Sequence, residues 1–235
     1  MGTIRKRAVS QEQKEKRRVD ILESARSLFN QSDNYESLLM KDIAANIGLT
    51  KGTLYLYFKT KEEVFLALYT DEFNRIFDSV DSDLAVIAKQ SGGPNLKAVH
   101  SVFCQHLLDN ATFLRLNSLL HAVLEQNIEY ETALTFKTLL RMRILSSGAL
   151  LELCLPQLAP GKGPELLLGI HEVLIGCYHA ATPSACLEAI FERPDMQFMK
   201  LDFEKEFEKT LRILLFSYCE ADRLEAAFGQ EARDD

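Results

Sequence analysis

Residues 40–58, MKDIAANIGLTKGTLYLYF, read as two short helices joined by a tight turn. Ile43, Ala44 and Ile47 fall at helical spacing, and Gly48 follows where a helix takes a left-handed C-terminal residue. Ile43, Ile47, Leu49 and Leu54 can close over a small shared core. Ala44 sits where the second helix approaches, and a larger side chain there would push it away. Thr50 can cap the second helix, which leaves Lys51, Gly52, Thr53, Tyr55 and Tyr57 facing outward. This is a helix-turn-helix pattern. The N-terminal residues of its second helix are the ones presented to base edges, and the hydroxyls and lysines around them suit phosphate oxygens. Taken alone, the I-A-x-x-x-G run also fits an ordinary amphipathic helix pair with a glycine cap.

The flanking residues narrow the reading. TKGTLYLYF at 50–58, followed by KTKEEVF at 59–65, resembles the TetR family of bacterial one-component transcriptional regulators. That family's motif has the form I-A-x-x-x-G-V-S-x-x-T-L-Y-x-[HY]-F-x-x-K-x-x-L. Here it stands as Ile43, Ala44, Gly48, Leu49, Thr50, Thr53, Leu54, Tyr55, Tyr57, Phe58, Lys61 and Val64. One departure concerns the start of the first motif helix, where the usual Ser/Thr positions hold Leu38 and Leu39. A hydroxyl cap is therefore missing, and Ser37 is an imperfect substitute. The expected DNA-contacting set is Met40, Lys41, Thr50, Lys51, Gly52, Thr53, Tyr55, Tyr57 and Lys61.

Charge is consistent with that division of labour. The chain carries a net charge of -7, which by itself argues against a nucleic-acid partner. Yet residues 1–64 hold twelve Lys/Arg against nine Asp/Glu, whereas the remainder holds fifteen against twenty-five. A basic head on an acidic body is what a DNA-binding domain joined to a non-DNA domain should look like. With 235 residues, 47% of them hydrophobic, the chain can bury a core without staples. It has no apolar run of membrane-spanning length, and its polar start lacks a secretory core, so a cytoplasmic protein is expected. Cys104, Cys154, Cys177, Cys186 and Cys219 are odd in number and show no C-x-x-C pair or zinc spacing. Reduced thiols, no metal and no cofactor are expected.

Along the chain, Arg5, Lys6 and Arg7 suggest a flexible basic arm over residues 1–10, and the S-Q-E-Q capping box at Ser10 suggests that a first helix begins there. Val19, Leu22, Ala25, Leu28 and Phe29 form its apolar face, and Asn34 is a candidate left-handed residue before Tyr35. Thr60, with Glu63 three residues on, opens a long fourth helix. Further apolar periods begin near Asn95, at Thr112 and at Tyr130, separated by SGGP at 91–94, by Asp109-Asn110 and by Gln126-Asn127. A loop at 156–164 follows, then a helix opened by Pro164, a connector at 182–201 with a short helix of its own, and a last helix capped by Asp202. No strand pattern or repeat occurs. The expected fold is all-α with about nine helices: a three-helix DNA-binding domain at 11–60 and a helical ligand-binding and dimerisation domain at 61–235.

The resemblance also implies a homodimer in which residues 164–181 and 203–222 of two copies form a four-helix bundle, binding a palindromic operator with half-sites ~34–36 Å apart. It further implies a small-molecule effector, with repression released on binding. Polar or aromatic residues set in apolar stretches, Phe103, Asn117, His121, Phe136 and His171, are the candidate pocket for a mainly apolar ligand. Two other functions are weighed. One is a DNA-binding protein without an effector, whose body contacts another protein, as in chromosome organisation. The other is a helical enzyme, against which stands the lack of any G-x-S-x-G, phosphate-binding glycine loop or H-E-x-x-H.

Overall fold

A computed structural model describes residues 2–32, 34–90 and 95–221, with side chains from residue 12 onward. Ten α-helices and no strand occur among the described residues. They are α1 (Gly2–Gln31), α2 (Met40–Asn46), α3 (Lys51–Leu54), α4 (Lys61–Ala88), α5 (Leu96–Leu108), α6 (Ala111–Leu119), α7 (Tyr130–Cys154), α8 (Lys162–Ala181), α9 (Ala185–Phe191) and α10 (Phe203–Cys219). The connector carries the short helix α9.

By packing, the chain divides into two compact units, Met1–Asn74 with Arg115–Phe136, and Arg75–Leu114 with Lys137–Asp235. The first turns of α4 belong to the first unit because of their apolar content. In the first unit Val64, Phe65 and Leu68 are fully buried, and Phe65 packs at 5.5 Å from the Phe29 ring and 5.1 Å from Tyr35. Ile21, Ala25, Ile43, Ala44 and Leu54 complete that core. Ser24 Oγ donates to the Ile43 carbonyl at 3.0 Å, which fixes α2 on α1. Arg26 on α1 pairs with Asp71 at 2.8 Å and Glu72 at 3.0 Å on α4.

In the second unit α10 packs on α8 and α5, burying Phe207, Leu211 and Leu215 with Leu166, Ile170, Val99 and Phe103. Gly169 meets the Leu214 side chain, and Tyr178 meets Phe203 edge-on at 5.4 Å, so α8 and α10 run antiparallel. Arg143 on α7 donates to Asp81 at 2.9 Å and Asp78 at 2.6 Å on α4, and Cys154 Sγ donates to the Leu84 carbonyl. The start of α8 crosses α7 at close quarters: a Cβ on Gly148 would lie 2.6 Å from Pro164 N, and one on Gly163 would collide with the Gly148 carbonyl. Larger residues cannot stand at that crossing.

Several local expectations are corrected. The backbone is already helical from Gly2, so Ser10 lies inside α1 and does not open it. Residues 3–30 contain no Gly or Pro and are rich in good helix formers, which lets the helix run through the capping box. The side chains of Arg5, Lys6 and Arg7 lie outside the described residues, as do the SGGP break and residues beyond 221. Asn34 is extended at φ -117°, not left-handed; its Oδ1 accepts the Glu36 N–H at 2.8 Å, making a local turn by side chain instead. Asn110, not Thr112, caps α6, accepting the Phe113 N–H at 2.9 Å. After α6, residues Leu120–Leu124 wind as a π-helical turn. Such turns are rare and frequent at functional sites.

Candidate nucleic-acid interface

Gly48 ends α2 at φ +66°, the left-handed conformation in which an L side chain is strained. Thr50 then caps α3, its hydroxyl accepting the Thr53 N–H at 3.1 Å and sharing a 2.9 Å bond with the Thr53 hydroxyl. Leu54 anchors this short turn, fully buried, and Phe58 follows it into the core. With the inner face thus committed, Thr50, Lys51, Gly52 and Tyr55 are exposed and Thr53 and Tyr57 half-buried. A Cβ at Gly52 would meet only the Thr50 hydroxyl, at 3.8 Å, so the outer face here is open.

Five of the nine expected contact residues come together. Met40, Lys41, Lys51, Tyr55 and Lys61 line one surface groove of about 350 Å³, with Leu38 and Leu39. Three lysines thus stand around one groove. Within it the roles differ. Lys41 and Lys51 are exposed, and Lys51 stands 5.6 Å from the Tyr55 ring. Lys61 is half-buried and turned inward, donating to the Tyr35 carbonyl at 3.1 Å and lying 4.0 Å from that ring's centre. Met40 lines the groove with little of its surface exposed, 7%, so it joins the groove floor to the core. Its place as the first residue of α2 and its long apolar side chain account for that. Leu39, the residue before it, makes no side-chain cap, and Ser37 does not replace one, since its hydroxyl donates to the Asn34 carbonyl at 2.7 Å.

Tyr57 lines a second groove of similar volume with Lys14, Glu15, Arg18 and Leu56. The Arg18 guanidinium lies 4.6 Å from the Phe58 ring centre, which holds α1 against the end of the motif. Leu56 is 79% exposed beside these groups.

Residues outside the motif hold the head, and the motif gave no sign of them. Arg115 of α6 donates to the Phe29 carbonyl at 2.9 Å and the Ser32 carbonyl at 2.5 Å, with its guanidinium 4.2 Å from the Phe29 ring. It therefore caps the C-terminal end of α1, where carbonyls lack helical partners. A lone arginine in the apolar run TFLRLNSLL is the signal that marks it. At the other end of the same segment, the Lys59 ammonium donates to Glu129, which raises its pKa, and the Thr60 hydroxyl donates to the Asn127 carbonyl at 3.1 Å. Thr60 also caps α4, accepting the Glu63 N–H at 3.1 Å, while Glu63 accepts the Lys59 N–H at 2.7 Å.

The expected effector residues fall into both units. In the first, the buried Tyr69 hydroxyl donates to Asn117 Oδ1 at 3.1 Å, and the Phe136 ring meets Tyr69 edge-on at 5.9 Å. Burial first, and the Glu125 charge second, push the Tyr69 phenol well above its usual range. His121 is exposed and lies 3.3 Å from Glu125. In the second unit Phe103 is fully buried on α5 and His171 is half-buried on α8. Burial also pushes the Cys104 and Cys154 thiols up to about 11, so neither is poised as a thiolate. No helix among the described residues is long and apolar enough to cross a membrane.

Comparison with known proteins adds an independent line. Residues 21–68 match the family described as bacterial regulatory proteins, tetR family, and residues 70–216 match the tetracyclin repressor-like C-terminal domain. Over 57 residues the chain is 40% identical to the uncharacterized HTH-type transcriptional regulator YfiR of Bacillus subtilis, covering 24% of this chain and 27% of that one. Over 72 residues it is 28% identical to the fatty acid metabolism regulator protein of the same organism, covering 31% of this chain and 37% of that one. The chain thus matches well under half the length of these two relatives. A crystal structure from Mesorhizobium loti, of a protein assigned to the TetR family of transcriptional regulators, superposes with a TM-score of 0.55 at 14% identity, covering 88% of this chain and 97% of that one. At that identity the likeness speaks for the fold.

Proposed function

This chain belongs to the TetR family of bacterial transcriptional regulators, and on that premise we propose that it is a cytoplasmic repressor that binds a palindromic operator as a homodimer. The observation that carries the DNA reading is the groove lined by Lys41, Lys51, Lys61 and Tyr55 beside the Thr50-capped turn. Lys41, Lys51 and the Tyr55 hydroxyl take phosphates, Thr50, Gly52 and Thr53 face the bases, and Tyr57 takes a phosphate from the neighbouring groove. Lys61 serves the groove from within by holding the Tyr35 carbonyl. A gel shift at fixed low salt, on the protein's own upstream region against random duplex, tests this. Preference for the upstream region, weakened by Tyr55→Phe and by Lys51→Ala without loss of helicity, is expected. No preference would sink it.

The dimer uses α8 and α10, whose outward residues Leu168, Ile213 and Phe216 are apolar and 48%, 62% and 55% exposed. Solvent-facing large apolar side chains clustered on two packed helices suit a four-helix bundle between copies. Release by a small, mainly apolar effector is part of the same proposal. Among the candidate residues, Asn117 and Phe136 with Tyr69 form the best-supported part of its site, since a ligand carrying one polar group can replace the buried Tyr69–Asn117 bond. Thermal stabilisation by candidate ligands, lost in Asn117→Leu, checks that part.

A further inference from the structure

From Thr182 to Leu201 no residue is buried, including all of α9 and the turn Gln197–Met199. Leu187, Ile190, Phe198, Met199 and Leu201 are large apolar side chains left in solvent, Phe198 at 82% exposure. The segment is nonetheless built. α9 opens with Glu188 N–H on the Ser184 carbonyl at 2.9 Å, and the Met196 N–H closes a turn on the Arg193 carbonyl at 2.9 Å. Four of its five charged side chains pair with one another: Lys200 with Glu192 at 2.5 Å, and Arg193 with both oxygens of Asp195 at 3.2 Å. Two ion pairs thus close within the segment while its large apolar side chains stay exposed.

We propose that residues 182–201 are an exchange arm whose apolar side chains are covered by the α8–α10 pair of a second copy of this chain. The proposal rests on the dimer reading above. Continuity favours a second copy as the occupant. The arm leaves α8 and enters α10, the two helices that carry the exposed Leu168, Ile213 and Phe216. Extent favours it too, because three large exposed apolar side chains are few for a stable interface, which takes roughly 20–30 residues a side. Since α8 and α10 are antiparallel, Leu168, Ile213 and Phe216 lie toward one end of the pair and the arm departs from the other. In a two-fold dimer the same patch serves both copies, so an apolar arm at one end and an apolar patch at the other can cover each other reciprocally.

The test uses the full chain with the photoreactive amino acid p-benzoylphenylalanine in place of Phe198, and separately of Ile190. Irradiation of the dimer should give covalently linked chains, with adducts mapping to α8 or α10 of the other copy. Phe198→Ser with Leu201→Ser should raise the dimer dissociation constant about tenfold or more, read by sedimentation with helicity unchanged. A dimeric protein that gives only within-chain adducts or none, and whose dissociation constant ignores those substitutions, overturns the arm and leaves the dimer standing. A wild-type chain that stays monomeric at tens of micromolar overturns the dimer reading and the arm with it.

Discussion

The α2–α3 turn and the α8–α10 pair both rest on finished cores, yet they leave opposite surfaces uncovered. Around α3 the outward residues are Lys41, Thr50, Lys51 and Tyr55, whereas on α8 and α10 they include Leu168, Ile213 and Phe216. The first surface presents lysines and hydroxyls, and suits a polyanion through salt-sensitive contacts. The second gains by leaving water, and suits another apolar face. What each region leaves unburied is the ground on which its partner is proposed.

The strongest way to break this contrast is to charge the apolar face. Ile213→Asp with Phe216→Asp should convert the dimer to monomer and lower operator affinity by about a hundredfold or more, roughly 2.7 kcal/mol, since one head alone reads half a site. Sedimentation and fluorescence anisotropy check both effects. Retained dimer in that variant would remove α10 from the proposed interface. Next in size is Arg115→Ala, which should leave the charged surface untouched but uncap α1. Loss of charged hydrogen bonds to the Phe29 and Ser32 carbonyls should cost about 2 kcal/mol of stability, read from urea unfolding.

Neutralising the charged surface comes third. Lys51→Ala should weaken operator binding about tenfold, or ~1.4 kcal/mol, and lower the salt dependence of binding by about one unit of slope. Because Lys51 is exposed and makes only a distant ring contact, stability should hardly move. Lys61→Ala sharpens the point, since removing a lysine bound to the Tyr35 carbonyl should lower stability as well as affinity. The smallest effect is expected from Thr50→Ala, about 1 kcal/mol of stability from the lost cap on α3. Thermal unfolding checks it.

The residues that a reader of the sequence could place are those whose partners are near in the chain. Gly48 ends α2, Thr50 caps α3, Thr60 caps α4 and Asp202 caps α10, accepting the Lys205 N–H at 3.1 Å. Each of these bonds spans three residues or fewer, so spacing alone encodes it. Asn34 misled because two local solutions compete there, a left-handed backbone and a side-chain turn, and the second prevailed. The start of α1 misled because helix propensity overrode a capping box.

Sequence by itself determined the all-α class and the helix-turn-helix motif, because periodicity, caps and one left-handed glycine are short-range constraints on the backbone. Tertiary structure decided which of those residues remain available. It put Met40 in the groove floor, turned Lys61 toward Tyr35, set Arg115 on the end of α1 and left residues 182–201 without a buried side chain. The reason is physical: burial and long-range hydrogen bonds depend on which helices meet, and residues 29 and 115, or 35 and 61, become neighbours only when the chain has folded.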